Sequence, residues 1–175
     1  SMNNIQCMIR YSFYPSIFGD VLIADDATYL CWISFADDKD SSLQELQNKY
    51  RSSELIQESS ELQKIVLDCI SNKWENIFNI PIHLHGTQFQ QDVWAELQKI
   101  PLGQTKTYKQ IAEAIGRPKA VRAVWSAIGA NPIAIIIPCH RVVSSDGSLG
   151  GYHWGIEKKI VMIEWEISQV EWNSQ

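Results

Sequence analysis

Apolar residues recur along this chain with two different periods, strand-like in its first third and helical beyond it. Up to about residue 80 the alternation is strand-like in three runs, around Cys7–Tyr14, Val21–Ala24 and Tyr29–Phe35, with Asp25-Asp26 a turn between the last two. Two helical stretches follow them. The second, about Glu61 to Asn76, sets Leu62, Ile65, Val66, Cys69 and Ile70 on one face. The segment from Ile80-Pro81 to Gly86-Thr87 interrupts the pattern. After it the period is helical. Phe89, Val93 and Leu97 recur at four-residue spacing, and Pro101-Leu102-Gly103 makes a turn. A helix from about Thr107 to Ile115 buries Ile111, Ala112 and Ile115, and Gly116 ends it. Pro118 opens another, at the position where proline costs least, with Val121, Val124 and Ile128 inward. Near the end, Ile156, Ile160, Ile163 and Ile167 define the core stripe of a last helix, flanked by Lys159 and Glu166.

This pattern predicts an α/β (α+β) chain in two parts. Residues 1–82 form a small α/β domain with a three-stranded sheet, and residues 86–172 a mainly helical domain. The two short helices joined through Gly116-Arg117 read as a helix-turn-helix, whose second helix turns Lys119, Arg122, Trp125 and Ser126 outward.

Composition narrows the class. With 175 residues, 45% hydrophobic and 20% charged, the chain is long enough to bury a core, and no run approaches a membrane-spanning length. No basic segment followed by an apolar one opens it, and Ser1 ahead of Met2 reads as a residue left from expression. A cytoplasmic, intracellular location is expected, at the nucleoid in a bacterium, with no membrane contact. The four cysteines, Cys7, Cys31, Cys69 and Cys139, lack a Cys-x-x-Cys pair, so reduced thiols are expected. A zinc site from Cys7, Cys31 and His83 or His85 has no support in the spacing, and no metal is expected. The net charge of -5 is unevenly spread. Residues 1–85 hold 12 acidic and 6 basic side chains, residues 86–175 hold 8 and 9. Within 106–141 the only acid is Glu113, against Lys106, Lys109, Arg117, Lys119, Arg122 and Arg141, a basic patch of the kind phosphate contacts require.

The chemistry concentrates at Pro138-Cys139-His140-Arg141-Val142. The preceding run, Ile133-Ala134-Ile135-Ile136-Ile137, reads as a buried strand that a proline stops, which places Cys139 at the floor of a cleft beside His140. A lone cysteine after an aliphatic run is more often a small core hydrophobe.

The flanks change that balance. Gly86-Thr87-Gln88-Phe89-Gln90, Val93-Trp94, Ile100-Pro101-Leu102-Gly103, Thr107-Tyr108, the run from Pro118 to Val124, Ala130-Asn131, Pro138 to Val142, Gly151-Tyr152 and Gly155 together resemble the O6-alkylguanine-DNA alkyltransferases. The resemblance runs from Gly86 to Glu166, about half the chain. It implies DNA repair by a single, irreversible transfer of an alkyl group from O6-alkylguanine to Cys139, without any cofactor. The implied partner is double-stranded DNA, bound through the minor groove by a monomer with no obligate protein partner. From the same resemblance, His140 draws the proton from Cys139 through a water, and Glu166 orients His140. Tyr108 donates a proton at the base edge and crowds the 3′ phosphate, Lys159 assists nearby, and Asn131 ties the hinge between the recognition helix and the active-site strand. The carbonyls of Cys139 and Val142 accept from the exocyclic amine, and the amide around His153 faces O6. Arg122 is the finger that fills the gap left by the extruded nucleotide. Ala120, Ala123 and Ala127 permit close approach to the groove, where Lys119, Trp125, Ser126 and Arg141 are further DNA contacts.

Three positions depart from the family pattern. Trp125 stands where the family usually has a small residue, Ala134 replaces a proline on the pocket wall, and Trp154 joins Tyr152 and His153 in the Gly-rich loop. The alternatives are a lesion-binding protein without transfer, against which the presence of Cys139 argues, and a Cys-His hydrolase, which needs no helix-turn-helix. A transcriptional regulator would carry a further domain.

Overall fold

The computed structural model describes residues 7–72, 74 and 77–173, and the chain divides into two compact units, Ser1–His83 and Leu84–Gln175. In the first, β1 (Met8–Tyr14), β2 (Val21–Asp25), β3 (Leu30–Phe35) and β4 (Glu54–Gln57) form a sheet of order β3-β2-β1-β4. The pairs β1/β2 and β2/β3 are antiparallel, and β4 runs parallel to β1. The sheet therefore has four strands where the sequence pattern predicts three. Two apolar residues between Glu54 and Gln57 give too short a signal to read alone, and β4 is fixed by pairing Leu55 with Ile9.

Every residue of β2 and β3 is buried, including Asp25. Its carboxylate accepts from the Ala27 N–H at 2.8 Å, the Ser60 hydroxyl at 2.6 Å and Gln63 Nε2 at 3.0 Å. That network rotates α2 (Glu61–Ser71). Gln63 joins Val66, Cys69 and Ile70 inside and the expected core residue Ile65 is exposed, because a buried carboxylate needs donors more than the sheet needs another aliphatic. The last expected residues of that helix, 73, 75 and 76, lie outside the described residues. The helix α1 (Lys39–Lys49) is capped by Asp38, whose side chain accepts from the Ser41 N–H.

The second unit holds α3 (Gln88–Leu97), β5 (Lys106–Thr107), α4 (Tyr108–Ala114), α5 (Val121–Gly129), β6 (Val142–Val143) and α6 (Ile156–Asn173). Thr87 with Gln90 and Thr107 with Gln110 form capping boxes, which start α3 and α4 sharply. Trp94, fully buried, ties α3 to α5 by donating its Nε1–H to the Ala127 carbonyl at 2.9 Å. Gly116, at φ +76°, ends the α4 turn. Pro118 lies in the turn ahead of α5, which begins at Val121 rather than at the proline. The inner face of α5 is Val124, Ala127 and Ile128. Val121 is exposed and Ala127 is not on the outer side, since the bond to Trp94 draws that edge inward.

The last helix departs most from expectation. Its buried residues are Lys159, Met162 and Glu166, while Ile156 and Ile167 are exposed and Ile160 and Ile163 half-buried. The charged pair is the core stripe instead of its flank. No helix among the described residues is long and apolar enough to cross a membrane, and no group of three His, Cys, Asp or Glu is placed to hold a metal among them.

Candidate active site

The run Ile133–Ile137 is buried along its whole length, yet it is a series of turns and not a strand. The Ile136 N–H donates to the Ala134 carbonyl at 2.8 Å, and Ile137 to Ile133 at 3.1 Å. Asn131 closes the segment from both ends. Its Nδ2 donates to the Ile137 carbonyl at 2.9 Å and its Oδ1 accepts from the Ile133 N–H at 3.0 Å. These bonds within the segment hold it as turns. The coiling places Ile135 at φ +73°. A β-branched residue in that region costs on the order of 1–3 kcal/mol, held here by complete burial.

The turn delivers Cys139 to a short 3-10 segment, Cys139–Arg141, with its N–H donated to Ile137 at 2.8 Å. The ladder that follows, Lys106 opposite Val142 and Thr107 opposite Val143, sets the first residue of α4, Tyr108, beside the cysteine segment. Gly150, at φ +70°, lets Tyr108 pack close, because a Cβ there would stand 2.9 Å from the phenol oxygen.

A cavity of about 310 Å³ opens onto Cys139. Tyr108, Asn131 and Cys139 line it, with Trp125, Ile128 and Gly129 of α5 and Gly151, Tyr152, His153 and Trp154 of the Gly-rich loop. Ile128, Gly129 and Gly151 were not anticipated as lining; the three- and four-residue spacing from Trp125 is the signal that finds the first two. Ala134 is buried in the turn and is not among the lining residues, so the expected wall position is filled from elsewhere. Val142 is also absent from the lining, and its carbonyl accepts from Lys159 Nζ at 2.6 Å. In the loop, the Trp154 ring makes edge contacts with Tyr152 at 5.3 Å and His153 at 4.9 Å between centroids.

Behind the cysteine lies a buried polar cluster. Glu166, 1% exposed, pairs with His140 Nε2 and accepts from Arg141 Nε at 2.8 and 3.0 Å. Arg141 also donates to the Ile100 carbonyl at 2.6 Å. It is 8% exposed, and this corrects its reading as a DNA contact: its guanidinium neutralises a buried carboxylate and faces no solvent-exposed groove. Lys159, fully buried, clamps the Val142 carbonyl and, at 3.2 Å, that of Gly151, joining the cysteine segment to the loop. Lys119, Arg122, Trp125 and Ser126 are exposed and Ala120 is half-buried.

The electrostatics follow from burial. Desolvation pushes the Cys139 thiol above its ordinary pKa, opposed by a hydrogen bond with Asn131, the Lys159 charge and a hydrogen bond with Tyr152. Burial lowers the His140 pKa against the pull of Glu166, and lowers that of Lys159 to about 8. Burial, with the Cys139 charge second, raises Tyr108 and Tyr152, keeping both phenols protonated. The site thus holds a guarded thiol, a neutral imidazole on a carboxylate and two phenol donors, a set suited to forming a thiolate only when a reaction partner is seated.

The chain is similar to several known proteins. A sequence profile for the DNA-binding domain of 6-O-methylguanine DNA methyltransferase matches residues 88–168. The bifunctional transcriptional activator/DNA repair enzyme Ada of Escherichia coli is 40% identical over 165 residues, 93% of this chain and 47% of that protein. The chain therefore spans about half the length of that relative. The inducible methylated-DNA–protein-cysteine methyltransferase of Bacillus subtilis is 37% identical over 87% of this chain and 91% of its own. The crystal structure of the O6-methylguanine methyltransferase of Mycobacterium tuberculosis is similar at a TM-score of 0.75 and 34% identity, over 92% of this chain and 94% of that one.

Proposed function

The chain belongs to the methylated-DNA–protein-cysteine methyltransferase family, and on that premise we propose that it repairs O6-alkylguanine in DNA by moving the alkyl group, once and irreversibly, onto Cys139. The observation that carries this reading is the placement of Cys139 at the floor of the 310 Å³ cavity, backed by the buried His140–Glu166–Arg141 cluster. In the reaction the Cys139 proton passes to the imidazole. With Nε2–H given to Glu166, Nδ1 is its basic atom, and the carboxylate stabilises the cation that forms. The thiolate attacks the alkyl carbon, the S–C bond forms and the C–O6 bond breaks. Tyr108, kept protonated by burial, supplies a proton to the departing base, so guanine leaves neutral. Lys159 favours the thiolate by its charge and fixes the loop that closes the cavity.

The alkylated base reaches this floor only when extruded from the duplex. The exposed face of α5 would lie in the minor groove, with Arg122 filling the vacated stack and Lys119 and Ser126 near the backbone. Small Ala120 and Ala123 permit close approach, Ala127 having turned inward. The protein acts as a monomer inside the cell, without an obligate partner. DNA binding and alkyl acceptance are assigned to residues 86–172, and residues 1–82 form a separate α/β domain.

Mass spectrometry after incubation with a duplex containing O6-methylguanine tests the reading. One methyl on the Cys139 peptide, with repair stopping at about one lesion per molecule, is the expected result. Retained binding with an unmodified peptide would make it a lesion-binding protein, and turnover on an ester would make it a hydrolase.

A further inference from the structure

We propose that Trp125 is the stacking platform that receives the extruded base at the rim of the cavity, a specificity element that rests on the alkyl-transfer reading above. The lining residues sort by exposure into a floor and a rim. Cys139, Tyr108, Ile128 and Asn131 are all below 10% exposed, whereas Trp125 is 56% exposed and still lines the cavity. Its indole does not seat the helix; Val124, Ala127 and Ile128 do that. A large apolar ring left half in water on a helix that also presents Arg122 is a surface awaiting a flat partner.

The neighbours of Trp125 leave room for one. Trp125, Ile128 and Gly129 stand at i, i+3 and i+4, one stripe of α5 turned to the cavity. A Cβ built on Gly129 meets nothing within 4 Å, and the same holds for Gly151 across the lining. A purine carries its polar groups on its edge and offers apolar π faces. With O6 directed to Cys139, those faces need flat walls, and aromatic rings supply them whatever the base substituent. Arg122 is one turn earlier on the same helix surface, so the side chain that fills the gap in the duplex and the ring that receives the base are adjacent. A wedge driven between base pairs is the other use for an exposed indole, and it would have no reason to line the cavity.

The test compares Trp125→Leu, which keeps apolar bulk but loses the π face, with Trp125→Phe, which keeps it. Single-turnover transfer to Cys139 is followed against concentration for free O6-methylguanine and for a duplex carrying it. Trp125→Leu should raise the half-saturating concentration of both by roughly tenfold while the limiting rate stays within about twofold, and Trp125→Phe should recover most of the loss. A loss confined to the duplex assigns Trp125 to wedging and overturns the proposal, as does a variant equal to or faster than wild type. Absence of any Cys139 adduct in the wild-type protein overturns the alkyl-transfer reading itself, a result distinct from either.

Discussion

Replacing Arg141 with methionine separates the two roles that sequence and structure give this residue. In the structure its guanidinium meets both oxygens of Glu166 and the Ile100 carbonyl. Arg141→Met keeps the apolar stem but strips the guanidinium from a carboxylate that is 1% exposed and paired with His140. Removing one partner of such a buried pair costs about 3–5 kcal/mol, and the orphaned Ile100 carbonyl belongs to the same loss. Against a total stability of about 5–15 kcal/mol this is severe but survivable. Urea denaturation should therefore show a midpoint far below wild type. Under conditions where the variant is folded, the salt dependence of duplex binding should keep its slope, whereas Lys119→Ala should lower the slope of log K against log salt by about 0.9. Transfer to Cys139 should slow at least about tenfold, because Glu166 loses the donors that aim it at His140. A variant as stable as wild type, with a shallower salt slope, would refute the reasoning and restore Arg141 to the phosphate contacts.

Arg122→Ala should weaken repair of a duplex lesion more than transfer from a free O6-methylguanine nucleoside, since extrusion is needed in the first case alone; equal losses would contradict that role. Lys159 has a folded-state pKa of about 8 against a usual 10.5, so between those values the unfolded chain binds more protons and folding gains stability as pH rises. The stability of the wild-type protein relative to Lys159→Met should accordingly climb from about pH 8 to about pH 10, and a flat difference in denaturation midpoints would rule this out. With Trp154 lining the cavity, O6-benzylguanine should inactivate the protein far less readily than a methylated duplex, and Trp154→Gly should restore some sensitivity. The steric cost involved is about 1–3 kcal/mol, and equal inactivation by both substrates would show that the indole leaves the benzyl space open.

Much of the site was legible because its parts are local. Cys139, His140 and the proline before them are contiguous, and the helices carrying Tyr108 and Arg122 announce themselves through Thr107, Gly116 and apolar spacing. The errors arise where a polar side chain decides the local structure. Five apolar residues in a row suit a strand, but Asn131 serves both ends of that run and coils it. A helix rich in isoleucine would face inward by those isoleucines on periodicity alone, but Glu166 and Lys159 have buried partners in Arg141 and Val142 and turn the helix to meet them. Asp25 does the same to α2 through Gln63. Hydrophobic periodicity carries no term for such pairings, and in the two helices the partners are 17 to 38 residues away.

The stripe by which α6 docks is made of Lys159 and Glu166, the groups to which the proposed reaction assigns preparation of the thiol, with Met162 between them. Anchorage and reactivity are consequently one inheritance. A substitution that blunts the chemistry at Lys159 or Glu166 also loosens the last helix, and in a cell it would register first as a shortened lifetime of the chain, through proteolysis of opened molecules. Surveys that score variants by abundance and those that score them by repair would therefore rank these two positions alike, whereas Cys139→Ser, which leaves the helix seated, would separate the two rankings.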